Sequence, residues 1–218
     1  MSRMKSFLNK IICGDCIEIM RQIPDCSIDI IITSPPYNAG KDYGVYKDSL
    51  PYDEYFDFVS KWLKECFRIL VDTGRICINI PLTANNPQLL KSYGLLVFLP
   101  QYYVILQDIG FTVRELIVWI KTNDVDGATK WEHSFCGNNT QWGSWLSPSS
   151  PYLRSFSEFI LVASKGEWKL KKKGETDLRK EEFMRWTRNV WAFPSCHNKN
   201  HPAPFPVELP YRLIKLKK

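Results

Sequence analysis

The chain has 218 residues, a net charge of +6, 44% hydrophobic residues and 14% aromatic residues. This length suits one α/β domain, residues 1–218, with a modest insertion. The positive balance fits a polyanionic partner as well as a merely basic soluble protein. No apolar run reaches membrane-spanning length, and the first ten residues lack a signal-peptide core, so a cytoplasmic protein without a membrane partner is expected.

In chain order, Lys10 to Cys13 reads as a short strand, and Cys16 to Gln22 as a short helix closed by Pro24. The apolar run Ile28 to Thr33 is a buried strand. Residues 38–51 form a polar loop with glycines, of the kind that closes over a substrate. Tyr52 to Leu70 is the clearest helix, because Tyr55, Val59, Trp62, Leu63, Cys66 and Leu70 recur at three- and four-residue spacing. Asp72-Thr73-Gly74 ends it, and Arg75 to Ile80 is the next strand. Leu95 to Ile109 reads as a helix, Phe111 to Ile120 as a strand and Ser157 to Ser164 as another. Strands alternating with helices predict a mostly parallel sheet covered on both faces, with ligands at the carboxyl ends of the strands.

Two stretches break this rhythm. Residues 121–156 are rich in Asn, Gly, Ser and Pro, with Trp131, Phe135, Trp142 and Trp145 interspersed. They read as a loop insertion whose aromatics either support a nucleotide or pack the loop itself. Residues 165–200 read as an excursion whose part from Lys165 to Arg188 carries a dense charge that includes Lys171, Lys172, Lys173 and Arg185. With Lys41, these are candidate contacts to phosphate, and the alternative is a solvated surface. The seven cysteines form no disulfide framework, and Cys66 and Cys77 sit in apolar runs as buried thiols. The lone Cys13-Gly-Asp-Cys16 has no second pair, so no metal site is expected.

The chemistry concentrates at Thr33-Ser34-Pro35-Pro36-Tyr37. Two prolines remove two N–H donors, so the strand ends in a segment rich in acceptors. The Ser34 oxygen and the Pro35 carbonyl can both accept from an –NH2 group, and the Tyr37 ring offers a face for stacking.

Ser34-Pro35-Pro36-Tyr37 fits the (Ser/Asp/Asn)-Pro-Pro-aromatic signature, and here the chain resembles the amino-methylating DNA methyltransferases. The likeness extends to Gly14-Asp15, to Gly143-Ser144-Trp145 and Pro151 to Arg154 ahead of Glu158 to Val162, and to His201-Pro202-Ala203-Pro204-Phe205-Pro206 with Leu209. The order of these segments is that of the circularly permuted β-type. The resemblance implies a Rossmann-like methyltransferase fold and S-adenosylmethionine as methyl donor. It implies Ser34, Pro35, Pro36 and Tyr37 as catalytic residues, and Asp15, Thr33, His201, Pro202 and Phe205 as cofactor-binding residues. Double-stranded DNA is the expected substrate, within a restriction-modification system that can include a cognate endonuclease. Ser at the first motif position resembles the cytosine-N4 branch, with adenine N6 as runner-up.

The family also carries a Phe-x-Gly-x-Gly turn after the His-Pro…Phe-Pro segment. None of the eleven glycines here is spaced as Gly-x-Gly. The chain therefore reads as incomplete at its C-terminus, a fragment or one half of a split enzyme that a partner chain completes. Two other classes stay open. An inactive or purely DNA-binding remnant is one. The other is a protein-glutamine methyltransferase, against which Ser34, the permuted order and the basic excursion all count.

Overall fold

A computed structural model describes residues 2–44, 46–82, 98–122, 157–169, 175–196, 201 and 203–217. The chain opens with two short helices, α1 (Ser2–Lys5) and α2 (Cys16–Met20). Strand β1 (Ile28–Thr33) follows within the expected bounds. Then come α3 (Tyr52–Ile69), β2 (Leu70–Ile80), α4 (Phe98–Ile109), β3 (Phe111–Lys121), β4 (Ser157–Lys165), α5 (Lys180–Trp186), β5 (Val190–Phe193) and α6 (Glu208–Lys217).

The five strands form one sheet in the order β1-β2-β4-β3-β5. β1 is parallel to β2 and β3 to β5, whereas β4 is antiparallel to both of its neighbours. Four of the five strands thus run one way, and the mostly parallel sheet is found with one reversed strand at its centre.

Alternation along the strands separates two cores. Ile76, Ile78, Ile80, Leu161 and Ala163 face the stripe of α3 and Phe98, Tyr102 and Leu106 of α4. Cys77, Ile117, Trp119, Ile160 and Val162 face Leu209 and Leu213 of α6, together with Trp191 and Phe193 of β5. The second core also holds Arg212, fully buried, with its guanidinium carbon 4.9 Å from the Phe193 ring centre and its Nε 2.7 Å from Glu208 Oε1. Both Cys66 and Cys77 are buried, and burial pushes the Cys66 thiol up. Among the described residues, no helix is long and apolar enough to cross a membrane.

The structure corrects several boundaries. Lys10 to Cys13 forms no strand: no described strand lies beside it, and Ile11 is fully exposed. A strand without a neighbour leaves its ladder groups unpaired. β2 begins at Leu70 rather than Arg75, and the turn expected at Asp72-Thr73-Gly74 is an irregularity inside the strand. Ile28 pairs with Leu70 and Ile30 with Arg75, so the extra residues of β2 slip out of register. The basic excursion is interrupted, since α5 and β5 lie within it and β5 joins the main sheet. Of the insertion expected at 121–156, residues 123–156 lie outside the described set. So do residues 95–97, the first three of the helix read from Leu95.

Leu63 is fully buried in the core beneath α3. Leu63→Ala should cost about 2–5 kcal/mol. Urea denaturation followed by circular dichroism should show a lower midpoint with an unchanged slope.

Candidate active site

Strand direction decides what meets at the end of β1. Ser34 follows the last residue of β1, and Thr33 pairs with Ile78 near the end of β2. Because β4 runs the other way, its second residue, Glu158, lies at this same end, paired with Trp119 near the end of β3. Alternation then puts Asn79, Lys121 and Glu158 on the α6 side of the sheet, in line with Cys77, Trp119 and Ile160.

These residues form one polar cluster. Ser34 Oγ is 2.7 Å from Tyr37 Oη. The phenol oxygen lies 3.2 Å from Glu158 Oε2 and 3.2 Å from the Asn79 main-chain carbonyl. The Asn79 side-chain amide donates to Glu158 Oε2 at 2.5 Å and to Tyr37 Oη at 2.9 Å, with a long contact to Ser34 Oγ at 3.5 Å. Lys121 pairs with the other carboxylate oxygen, Glu158 Oε1. Asn79 is buried, and its Oδ1 has no hydrogen-bond partner among the described residues. Burial first, and then the Glu158 charge, push the Tyr37 phenol well above its ordinary range.

The Pro-Pro segment is held from the opposite face. Tyr55 Oη donates to the Pro36 carbonyl at 2.8 Å, and Tyr102 Oη lies 2.9 Å behind it. Both tyrosines are buried within the α3 and α4 core. The Pro35 carbonyl makes no such contact among the described residues.

The loop after Tyr37 is tied to itself. The buried Asp48 carboxylate accepts from the backbone N–H of Asn38 at 2.8 Å, Ala39 at 3.0 Å and Lys41 at 2.9 Å. Asn38, at φ 54°, accepts from Leu50 N at 2.7 Å and donates to Leu50 O at 2.9 Å. This pinned loop carries two aromatic side chains, Tyr43 and Tyr46, the second packed against Phe58. Tyr43 meets the His201 ring edge-on at 6.1 Å. The Tyr46 hydroxyl is buried without a partner among the described residues, and burial together with Asp48, Tyr43 and Cys16 pushes it up to about 12.

The sequence candidates fall into three groups. Ser34 and Tyr37 are in the polar cluster, with Pro35 and Pro36 between them. His201 lies at one flank of the pinned loop, against Tyr43. Asp15 caps α2, its Oδ1 accepting from Ile17 N at 2.9 Å and Glu18 N at 3.0 Å. His201 Nδ1 accepts from Ala203 N at 3.2 Å. Phe205 packs against the α6 core rather than standing in the open. Lys41 is exposed on the loop itself. Arg185 is not brought to the cluster. It sits on α5, whose next residue, Trp186, lines a cavity with Ile30, Arg75 and Glu115 toward the opposite end of the strands. Pro202, Lys171, Lys172 and Lys173 lie outside the described residues.

Sequence reasoning passed over Asn79 and Glu158 as strand residues and Lys121 as the first residue of the loop insertion, whereas β3 runs to Lys121. A signal was available. Each is a polar side chain at the ligand end of an otherwise apolar alternating stripe, and Asn79 interrupts the run Ile76 to Ile80.

Comparisons with known proteins bear on the whole architecture. The model of the N6/N4 methyltransferase family, described as DNA methylase, matches residues 28–217. The Type II methyltransferase M.MjaVI of Methanocaldococcus jannaschii is 40% identical over 177 residues, covering 81% of this chain and 82% of its own. The DNA adenine methyltransferase YhdJ of Escherichia coli is 26% identical, covering 94% of this chain and 65% of its own. Two further Type II methyltransferases match over 33% and 56% of their own lengths. Among solved structures, TTHA0409 of Thermus thermophilus, described as a DNA modification methylase and solved with S-adenosyl-L-methionine, superposes with a TM-score of 0.63. It is 23% identical, and the match covers 94% of this chain and 72% of that one. The cytosine-N4-specific PvuII DNA methyltransferase superposes with a TM-score of 0.62 at 18% identity, over 93% of this chain and 67% of that one. The fold is thus that of the S-adenosylmethionine-dependent methyltransferases, and the chain belongs to the N6/N4 DNA methylase family.

Proposed function

We propose that this protein transfers a methyl group from S-adenosylmethionine to the exocyclic N4 of cytosine in DNA, as the modification enzyme of a restriction-modification system. The observation that carries the reading is Ser34 beside the Pro-Pro turn, backed by Tyr37, which a carboxylate and an amide hold in place. A relative named for adenine and a structural neighbour named for cytosine both occur. The choice of base therefore rests on Ser34, and adenine N6 is the second reading.

The target base leaves the stack and enters the end of the sheet. Ser34 Oγ and the Pro35 carbonyl accept the two hydrogens of the amine, while the half-buried Tyr37 ring provides a face for the base. An aromatic amine is a poor nucleophile because its lone pair is delocalised into the ring. Acceptors on both hydrogens favour the pyramidal geometry in which that lone pair is free, a stabilisation that grows toward the transition state. Tyr55 keeps the Pro36 carbonyl out of this work, so the substrate meets a fixed backbone.

S-adenosylmethionine supplies an electrophilic methyl on its sulfonium. The residues present suit its polar and aromatic parts. Asp15 has a second carboxylate oxygen beyond the one that caps α2, Tyr43 and His201 form an aromatic edge, and the buried Tyr46 hydroxyl lacks a partner among the described residues. These groups would bind and orient the donor beside Ser34. Lys41 and the Lys171 to Lys173 run would neutralise phosphates.

The test is incubation of the chain with methyl-labelled S-adenosylmethionine and mixed-sequence duplex DNA, followed by hydrolysis and identification of the labelled base. N4-methylcytosine is expected, N6-methyladenine would favour the second reading, and unlabelled DNA would remove the activity from this chain. Ser34→Ala should lower kcat by about 10²–10³-fold, the loss typical of one acceptor or donor aimed at developing charge, with the affinity for S-adenosylmethionine unchanged.

The phosphate contacts predict a salt effect. Replacing Lys171, Lys172 and Lys173 together by Ala should reduce the log–log salt slope of DNA binding by about 3, roughly 0.9 per lost phosphate contact. Fluorescence anisotropy across a salt series checks this, and an unchanged slope would clear these lysines of a role.

A further inference from the structure

Hydrogen-bond direction inside the polar cluster is determined by which groups can only accept. An ionised carboxylate has no proton to give, and neither has a main-chain carbonyl. Tyr37 Oη faces one of each, Glu158 Oε2 and Asn79 O, both at 3.2 Å. Its single proton must go to one of them, because two acceptors against a phenol lone pair would repel. The charged acceptor makes the stronger bond. Tyr37 Oη therefore acts as an acceptor toward its remaining neighbours, the Asn79 amide at 2.9 Å and Ser34 Oγ at 2.7 Å. The Ser34 proton is then committed to Tyr37. Apart from the long contact with the Asn79 amide, the Ser34 oxygen presents only lone pairs to the mouth of the site.

We propose that Glu158, acting through the Tyr37 hydroxyl, fixes Ser34 as an acceptor and so selects a base with an exocyclic amine over one with a carbonyl in the same place. Glu158 is a positioning residue and does not touch the base. Lys121 occupies its Oε1 and leaves Oε2 to direct the chain of bonds. Burial first, and then the Glu158 charge, oppose ionisation of the Tyr37 phenol. A free serine hydroxyl could rotate and donate to a carbonyl, whereas this one cannot without breaking the bond to Tyr37. The inference rests on the reading of Ser34 as the amine acceptor and adds to it the device that removes the donor alternative.

Cytosine and uracil separate the two cases, since they differ in the group at this position. Competition by oligodeoxycytidine and by oligodeoxyuridine of equal length, at one salt concentration, measures the preference by fluorescence anisotropy. The wild-type chain should prefer oligodeoxycytidine by about tenfold, the worth of one hydrogen bond made against one refused. Tyr37→Phe keeps the ring and loses the relay, and Glu158→Gln keeps the size and loses the charge. Tyr37→Phe should bring the preference to about twofold or less, Glu158→Gln should lower it by a smaller factor because the Asn79 carbonyl can still take the phenol proton, and the double variant should go no further than Tyr37→Phe alone. Thermal unfolding confirms that each variant is folded.

A preference that survives in Tyr37→Phe overturns the relay and leaves the acceptor role of Ser34 standing. No preference in the wild type overturns the inference as well. The methyl-transfer assay then tells the two readings apart, because labelled DNA without such a preference removes only the relay.

Discussion

Two consecutive prolines cannot be anchored by donating hydrogen bonds, and much of this molecule is arranged around that constraint. The backbone of Pro35 and Pro36 offers carbonyls alone. Tyr55 takes the Pro36 carbonyl from one face of the sheet, and Tyr102 stands behind it. Both come from helices whose apolar stripes build the larger core, so α3 and α4 serve the site as well as stability. On the other side, Tyr37 reaches across to the ends of β2 and β4 that lie beside it. The segment is thus clamped between a tyrosine that donates to it and a tyrosine that belongs to it.

The reversed strand is what makes the second clamp possible. In a wholly parallel sheet, the first residues of a strand lie at the end remote from the ligand. β4 runs against its neighbours, so Glu158 opens the strand at the ligand end, next to Lys121 and Asn79. A carboxylate at that depth needs compensation. It receives an ammonium on one oxygen and an amide on the other. The pair is therefore directional, with one oxygen neutralised and the other left to organise Tyr37.

Much of this was legible in the sequence wherever a single element carries its own signal. β1 has its expected bounds because an apolar run ends at prolines that cannot continue a strand. α3 has nearly its expected bounds because its stripe repeats over eighteen residues. The failures share a different cause. Lys10 to Cys13 looks like a strand in isolation but has no neighbour among the described residues. β5 is four residues long and owes its place to pairing with β3. α6 was not anticipated, and its Pro210 sits in the first turn, where its N–H would have no intrahelical acceptor. Glu158 was visible as a residue and invisible as a partner. Its proximity to Tyr37 follows from one strand reversal, which no local pattern records.

The same reversal offers a physical account of a neutral serine at the head of the motif. An aspartate there would bring a charged acceptor straight to the amine. Serine is a weaker acceptor, and its own proton can point the wrong way. On the proposed reading, the charge has moved two hydrogen bonds away, to Glu158, and reaches the substrate as a direction rather than as a field. Chains of hydrogen bonds polarise one another, so a serine that donates to a phenol, which in turn donates to a carboxylate, is a better acceptor than an isolated hydroxyl. The cost of burying the charge falls on Lys121 and Asn79, away from the base. A neutral surface then faces a neutral base, and the discrimination lies in which way the protons point.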